Sequence, residues 1–382
     1  MMVRATAALV TMALMLGGSV RAGEGVKERA VEAAKKAAAC LVKQANADGT
    51  FGKSQLAPMP GIVGLVLYAV AKCPGERTAD EKAVLEKAAA YLLKCQQENG
   101  AISLPAFGND NYNTCVAVMA LKALNDPKYS AALEKAKAYI LSSQLDEKKG
   151  YNKEEHKQAY GGIGYGGSKR PDLSNTAFAI EALKELGMDE KSEEFKKALI
   201  FVKRCQDNLE TNDVPAMDDG DDTGAFQYLP GDTEACSEMG MVKTRKGKEM
   251  PKPYGNMTYQ GIKSLIYLGL SEKGSELRRA WNWIKNNYSV KEQPGGRGDE
   301  GYFYYIVAFA KAFTAAGVKE LEVAGGRKVF WAEDLSNHVA TLQNADGSFA
   351  NKTPRWMESD PILSTSYALI ALDLSVQAMG QK

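Results

Sequence analysis

A turn motif recurs along this chain, and it constrains the fold more than any other feature. Gln44-Ala-Asn-Ala-Asp-Gly49-Thr-Phe51 comes back as Gln343-Asn-Ala-Asp-Gly347-Ser-Phe349. Weaker copies run from Gln96 to Gly100 and Ile102, from Gln144 to Gly150 and Tyr151, and, with a long insertion, from Gln206 to Gly224 and Phe226. Self-similarity of this kind marks stacked units, none of which buries its apolar face alone. Each copy follows a Lys/Glu-rich stretch and precedes a more apolar one. In DEKAVLEKAAAYLLKCQ, the residues Val84, Leu85, Ala88, Ala89, Leu92 and Cys95 share one helical stripe, with Lys and Glu opposite. NTCVAVMALKAL, beyond the glycine, is apolar nearly all round, as a helix buried on several sides would be.

The alternation continues through the chain. Amphipathic stretches lie near 26–45, 80–96, 128–145, 190–206, 272–288 and 328–343, and apolar partners near 58–72, 111–125, 172–187, 256–270, 301–316 and 361–376. Six pairs make twelve helices, one class wetted on one face and the other buried on most. Two concentric rings satisfy both classes. An open stack would need polar terminal caps, yet the last apolar stretch, ILSTSYALIALDLSV, is as apolar as the interior ones. The expectation is an all-α chain closed as an (α/α)6 toroid, one domain over residues 23–382, with no convincing strand alternation.

Residues 1–22 read as a cleavable export signal. Arg4 is followed by the uncharged run Ala5 to Leu16, and Val20-Arg21-Ala22 offers a peptidase site; the run is too short to span a bilayer. No later stretch reads as apolar for about 18 residues. An exported protein, periplasmic or extracellular, is expected. Lys and Arg total 48 against 47 Asp and Glu, which gives +1, so no field directs the chain to nucleic acid or an anionic membrane. Two His leave a histidine-built metal site or a Ser-His-Asp triad short of material. The six Cys read either as reduced core residues at repeat positions or as including at least one bridge, since export permits disulfides.

The Gln-x(3–4)-Gly-x-Phe/Trp turns resemble the repeats of squalene and other terpenoid cyclases. NYNTCVAVMAL, SNTAFAIEAL and MTYQGIKSL resemble inner-ring helices of that superfamily, which includes the protein prenyltransferase β subunits. GGIGYGGSKRPDLSNTAFA and the late RWMESDP segment are similar to an exported, bacterial, single-toroid subgroup. The resemblance covers essentially the whole mature chain and implies the fold; fold alone does not fix chemistry. Protein prenyltransferases need an Asp, a Cys and a His as zinc ligands on inner helices. His156 and His338 both lie elsewhere, so zinc-dependent prenylation does not carry over. No cofactor is implied.

Two segments and a set of aromatics are the candidates for chemistry. Asp219-Gly-Asp221-Asp222-Thr223 spells the D-x-D-D-T acid motif of class II cyclases, in which crowded carboxylates keep one proton. The residues directly after it, GAFQYLPG, do not start a helix. The block therefore also reads as a solvated loop, or as a Ca²⁺ site built from Asp218, Asp219, Asp221 and Asp222. In the glycine-rich segment 160–175, Tyr165, Arg170 and Asp172 are expected at a cavity mouth, or else in a clamped turn. Tyr112, Tyr259, Tyr302, Trp356 and Asp360 complete the expected rim, the alternative being core packing or, for Asp360, a helix cap. The function expected is binding, with or without transformation, of an apolar polyisoprenoid-like ligand. The alternative is a non-catalytic scaffold for a glycan, peptide or lipid.

Overall fold

The computed structural model describes residues 25–166, 170–231 and 239–380; the expected signal segment lies outside them. Outer helices are α1 (25–43), α3 (Ala79–Lys94), α5 (Ser130–Ser143), α7 (Glu193–Arg204), α9 (Ser275–Asn286) and α11 (Trp331–Thr341). Inner helices are α2 (Pro60–Lys72), α4 (Asp110–Ala123), α6 (Leu173–Glu185), α8 (Gly255–Tyr267), α10 (Tyr302–Ala316) and α12 (Pro361–Gly380). Each inner helix packs on the next, and α12 packs on both α10 and α2, so the ring closes. The chain is therefore an all-α (α/α)6 toroid. Two short hairpins, β1 (Met241–Lys243) with β2 (Glu249–Pro251) and β3 (Glu320–Glu322) with β4 (Lys328–Phe330), were not legible as strand patterns. Helix α12 is long and apolar enough to cross a membrane by composition, contrary to the reading that no later stretch would be, but it is buried as a ring wall.

The repeated turn acts as a clamp between successive units. Gln96, Gln144, Gln206 and Gln343 each donate from Nε2 to two carbonyls, one in their own turn and one on the next outer helix: Ala132, Glu194, Glu276 and Ala33 respectively, at 2.8–2.9 Å. Gln343 thus joins the last turn to α1. The turn glycine has positive φ and lies on the next outer helix; at Gly161 an added Cβ would come within 2.0 Å of the Lys197 carbonyl oxygen. Beyond it sits a buried plug, whose N–H donates to an inner-helix threonine: Ile102 to Thr114, Ile163 to Thr176, Phe226 to Thr258, Phe349 to Thr365. Two register readings change. The third turn closes at Gly161, which Gln144 grips, not at Gly150. In the first turn Ala45 bridges Phe51 as Gln96 bridges Ile102, so exposed Gln44 falls one place outside the clamp.

The described cysteines, Cys40, Cys73, Cys95, Cys115 and Cys205, are buried thiols. That agrees with the reduced-core reading for these five.

Candidate ligand-binding cavity

Outer-to-inner connections are long, from the 15 residues of 95–109 to the 50 of 205–254, whereas most inner-to-outer ones are short, such as 73–78 and 124–129. The surplus chain therefore gathers at one end of the ring, over the N-termini of the inner helices. There it encloses a cavity of about 300 Å³. Its floor is a circle of four aromatic rings from four inner helices. Tyr112 meets Phe178 edge-on at 5.0 Å, Phe178 stacks on Tyr304 at 6.0 Å, Tyr304 lies 5.8 Å from Tyr367, and the Tyr367 and Tyr112 hydroxyls meet at 3.2 Å. Ser174 and Gln260 hold the Tyr304 hydroxyl at 2.7 and 3.0 Å. Burial pushes Tyr112 up to about 12, so this hydroxyl stays protonated. The walls are mostly apolar, with Met59, Ile62, Met257 and Leu363 prominent.

Trp356 forms part of the mouth, 38% exposed and in the left-handed backbone region (φ 52°), which is costly for a residue of this size. It lies across Gly301, where a Cβ would approach its ring to 2.9 Å. Only glycine leaves room for the indole there. The Arg355 guanidinium stacks 4.8 Å from the ring.

Beneath the floor the barrel is plugged by charge. Glu181 of α6 accepts from Lys263 of α8 at 2.6 Å and from Lys311 of α10 at 2.5 Å, all three buried. Burial alone would raise the Glu181 carboxyl, but two ammonium groups outweigh it and hold it at about 2. Burial lowers Lys263 to about 8 against the pull of the shared carboxylate. Fully ionised, the triad carries one net positive charge.

Of the expected rim, Tyr112, Tyr165 and Trp356 line the cavity. Five residues stand elsewhere. Tyr259 is buried in an aromatic cluster with Tyr305, Phe309 and Phe313, and Tyr302 turns outward to bond the Val290 carbonyl at 2.7 Å. Asp360 caps α12 through the Ile362 N–H. Asp172 caps α6, accepting from the Asn175 N–H and amide at 2.7 and 2.8 Å; burial raises it to about 6. Arg170 is exposed, and its charge draws the Asp172 carboxyl back down.

The aspartate block also lies off the cavity. Asp221 accepts from the Arg245 N–H, Asp219 pairs with Lys246, and Asp222 pairs with Arg279. Among the described residues no group of three or more His, Cys, Asp or Glu is gathered for a metal ion, so Asp218, Asp219, Asp221 and Asp222 form no such cluster. Among the described residues the carboxylate that does line the cavity is Glu358, whose oxygens accept from the Phe303 and Tyr304 N–H groups and from Asn351. It is a cap for α10; burial raises its pKa against those three donors.

The sequence reading missed Phe178, the amides Asn256 and Gln293 in the lining, and the triad, and it did not single out Tyr304 from the aromatics that open α10. The triad left a signal: Glu181, Lys263 and Lys311 are charges set inside otherwise apolar inner helices.

A closed double ring of inner and outer helices defines the α/α toroid class. Residues 168–374 match the prenyltransferase alpha-alpha toroid domain, and residues 54–220 the squalene-hopene cyclase C-terminal domain. The chain belongs to the prenyltransferase α/α toroid family. No curated protein matches it at a significant level.

Solved structures resemble it in fold. The GH76A alpha-1,6-mannanase from Salegentibacter sp. HEL1_6 aligns with TM-score 0.57 at 13% identity, over 91% of this chain and 99% of that one. The type II terpene cyclase MstE from Scytonema, in complex with merosterolic acid A, aligns with TM-score 0.54 at 11% identity, over 93% and 99%. A protein from Actinoplanes aligns with TM-score 0.54 at 13% identity, over 91% and 99%. At such identities the likeness is one of fold.

Proposed function

We propose that this protein is a binding toroid whose cavity takes the apolar chain of a polyisoprenoid- or lipid-like ligand. The observation that carries the reading is the aromatic floor below methionine, isoleucine and leucine walls. Apolar walls with a few convergent polar groups are the usual make-up of a small-molecule pocket. Export, argued from residues 1–22, is part of the same proposal and places the ligand outside the cytoplasm.

Binding is favoured over carbocation chemistry by two features. Among the described residues the carboxylate in the lining, Glu358, is occupied as a helix cap, and Asp172 nearby is likewise a cap, so neither offers an acidic proton to an alkene. The triad beneath the floor adds net positive charge where a developing carbocation would need the opposite. The test is native mass spectrometry of protein purified from its own host, beside a Leu363→Trp variant that fills the cavity. A co-purifying lipid-sized mass in the wild type, lost in the variant, supports the reading. Equal retention by both proteins, or protonation and cyclisation of an offered polyprenyl substrate, overturns it.

A further inference from the structure

We infer that Asn256 and Gln293 form a polar subsite in this cavity for a hydroxyl group on the ligand, an inference that rests on the cavity being a binding site. Asn256 opens α8 and Gln293 precedes α10, with 3% and 5% of their surfaces exposed, and both line the cavity. The Gly255 N–H donates to the Pro294 carbonyl at 2.7 Å, which straps the two segments together. Asn256 Oδ1 and Gln293 Oε1 are buried without a hydrogen-bond partner. An orphaned buried acceptor costs free energy that a ligand can recover. Gln144, Gln227 and Gln260 also carry buried amide oxygens without a partner, but only Asn256 and Gln293 of these five line the cavity.

The amides define the chemistry of the missing partner. A hydroxyl both donates and accepts, so it satisfies either end of an amide whichever way the group is turned. A carboxylate or phosphate only accepts, and would leave both oxygens orphaned. Among the described residues the lining holds one lysine, Lys252, and one carboxylate, Glu358, and so no formal charge excess to favour an ion. The ligand is then an apolar chain ending in an uncharged hydroxyl, supplied by a sugar or by a simple alcohol.

The test is calorimetry on the whole protein with decanol, decyl glucoside, decyl methyl ether, decanoate and methyl glucoside. The ether keeps the chain and an acceptor but has no donor. Decanol or decyl glucoside should bind at least about tenfold tighter than the ether and decanoate. Asn256→Leu and Gln293→Leu should abolish that preference, leave ether binding unchanged, and not lower the melting temperature; Asn256→Ala and Gln293→Ala serve where a leucine variant misfolds. Decanol above decyl glucoside identifies a simple alcohol, and the reverse a sugar. The ether binding as well as the alcohol, decanoate binding best, or variants weakening every compound alike overturns the inference. If only methyl glucoside binds, the subsite stands and the apolar-chain reading falls; if nothing binds, both fall.

Discussion

Asp172 sits where burial and capping pull in opposite directions. Its folded pKa, raised to about 6 from 3.8, means that the native protein holds this proton more tightly than the unfolded chain does. Stability from this group therefore increases as pH falls through about 6 toward 4, and above 6 the buried carboxylate is a burden. Asp172→Asn keeps a capping side chain and removes the titration. Melting curves on both sides of pH 6 should show the wild type gaining on the variant at acid pH, by up to about 3 kcal/mol. An unchanged difference would mean Asp172 stays ionised. The same residue shows what sequence could and could not supply. An Asp before an apolar run was legible as a candidate site or cap, but its burial is decided by chain folding over it from elsewhere. The phase of Tyr302, Phe303, Tyr304 and Tyr305 was equally hidden: consecutive helical residues point about 100° apart, and four aromatics in a row do not say which one faces inward. Tyr304 does.

Single elements are held in place by the repeated turn. Gln206→Ala removes two bonds to buried carbonyls and should cost about 2 kcal/mol. Gln44→Ala, outside the clamp, should change stability by less than about 0.5 kcal/mol. Denaturant titration of the pair checks the register; equal losses would contradict it. Gly161→Ala forces a Cβ against the Lys197 carbonyl in a positive-φ turn and should cost more than the glutamine variant. The helices were legible because six amphipathic and six apolar stretches alternate, and the observed elements fall within a few residues of those expected. The third turn was misplaced because the 16 residues 145–160 separate its glutamine from its glycine, and they bring in Gly150 as a decoy. Hairpin β1–β2 escaped notice because strands of three residues carry too little alternation to read.

Across the entire ring, closure and the central plug set the behaviour. The triad joins α6, α8 and α10 through one carboxylate, so Glu181→Gln leaves two buried ammonium groups facing each other. Thermal or chemical unfolding should show a loss of about 3–5 kcal/mol. Replacing Glu181, Lys263 and Lys311 together with Met should restore most of it, since a well-packed apolar trio avoids the cost of burying charge. With Glu181 held at about 2 against 4.5 unfolded, its stabilisation is complete above about pH 4.5 and lost as pH falls toward 2; the triple variant should lack that acid limb. A triple variant no better than Glu181→Gln would contradict this picture. Ring closure was legible from the apolar last helix, and Tyr112, Tyr165 and Trp356 were legible as cavity residues, whereas the make-up of the rest of the cavity was not. Its floor is assembled from residues up to 255 apart in the chain, and that juxtaposition exists only after the ring has closed.

The proposed function depends on a ligand's apolar chain lying on this floor. Photolabelling with a decanol carrying a diazirine at its chain end probes that placement, because it reports where the chain rests. The label should fall on cavity residues such as Met59, Ile62, Phe178 and Leu363, and Leu363→Trp should suppress it. Labelling confined to exposed apolar surface such as Leu209 and Phe330, undiminished by that variant, would contradict it.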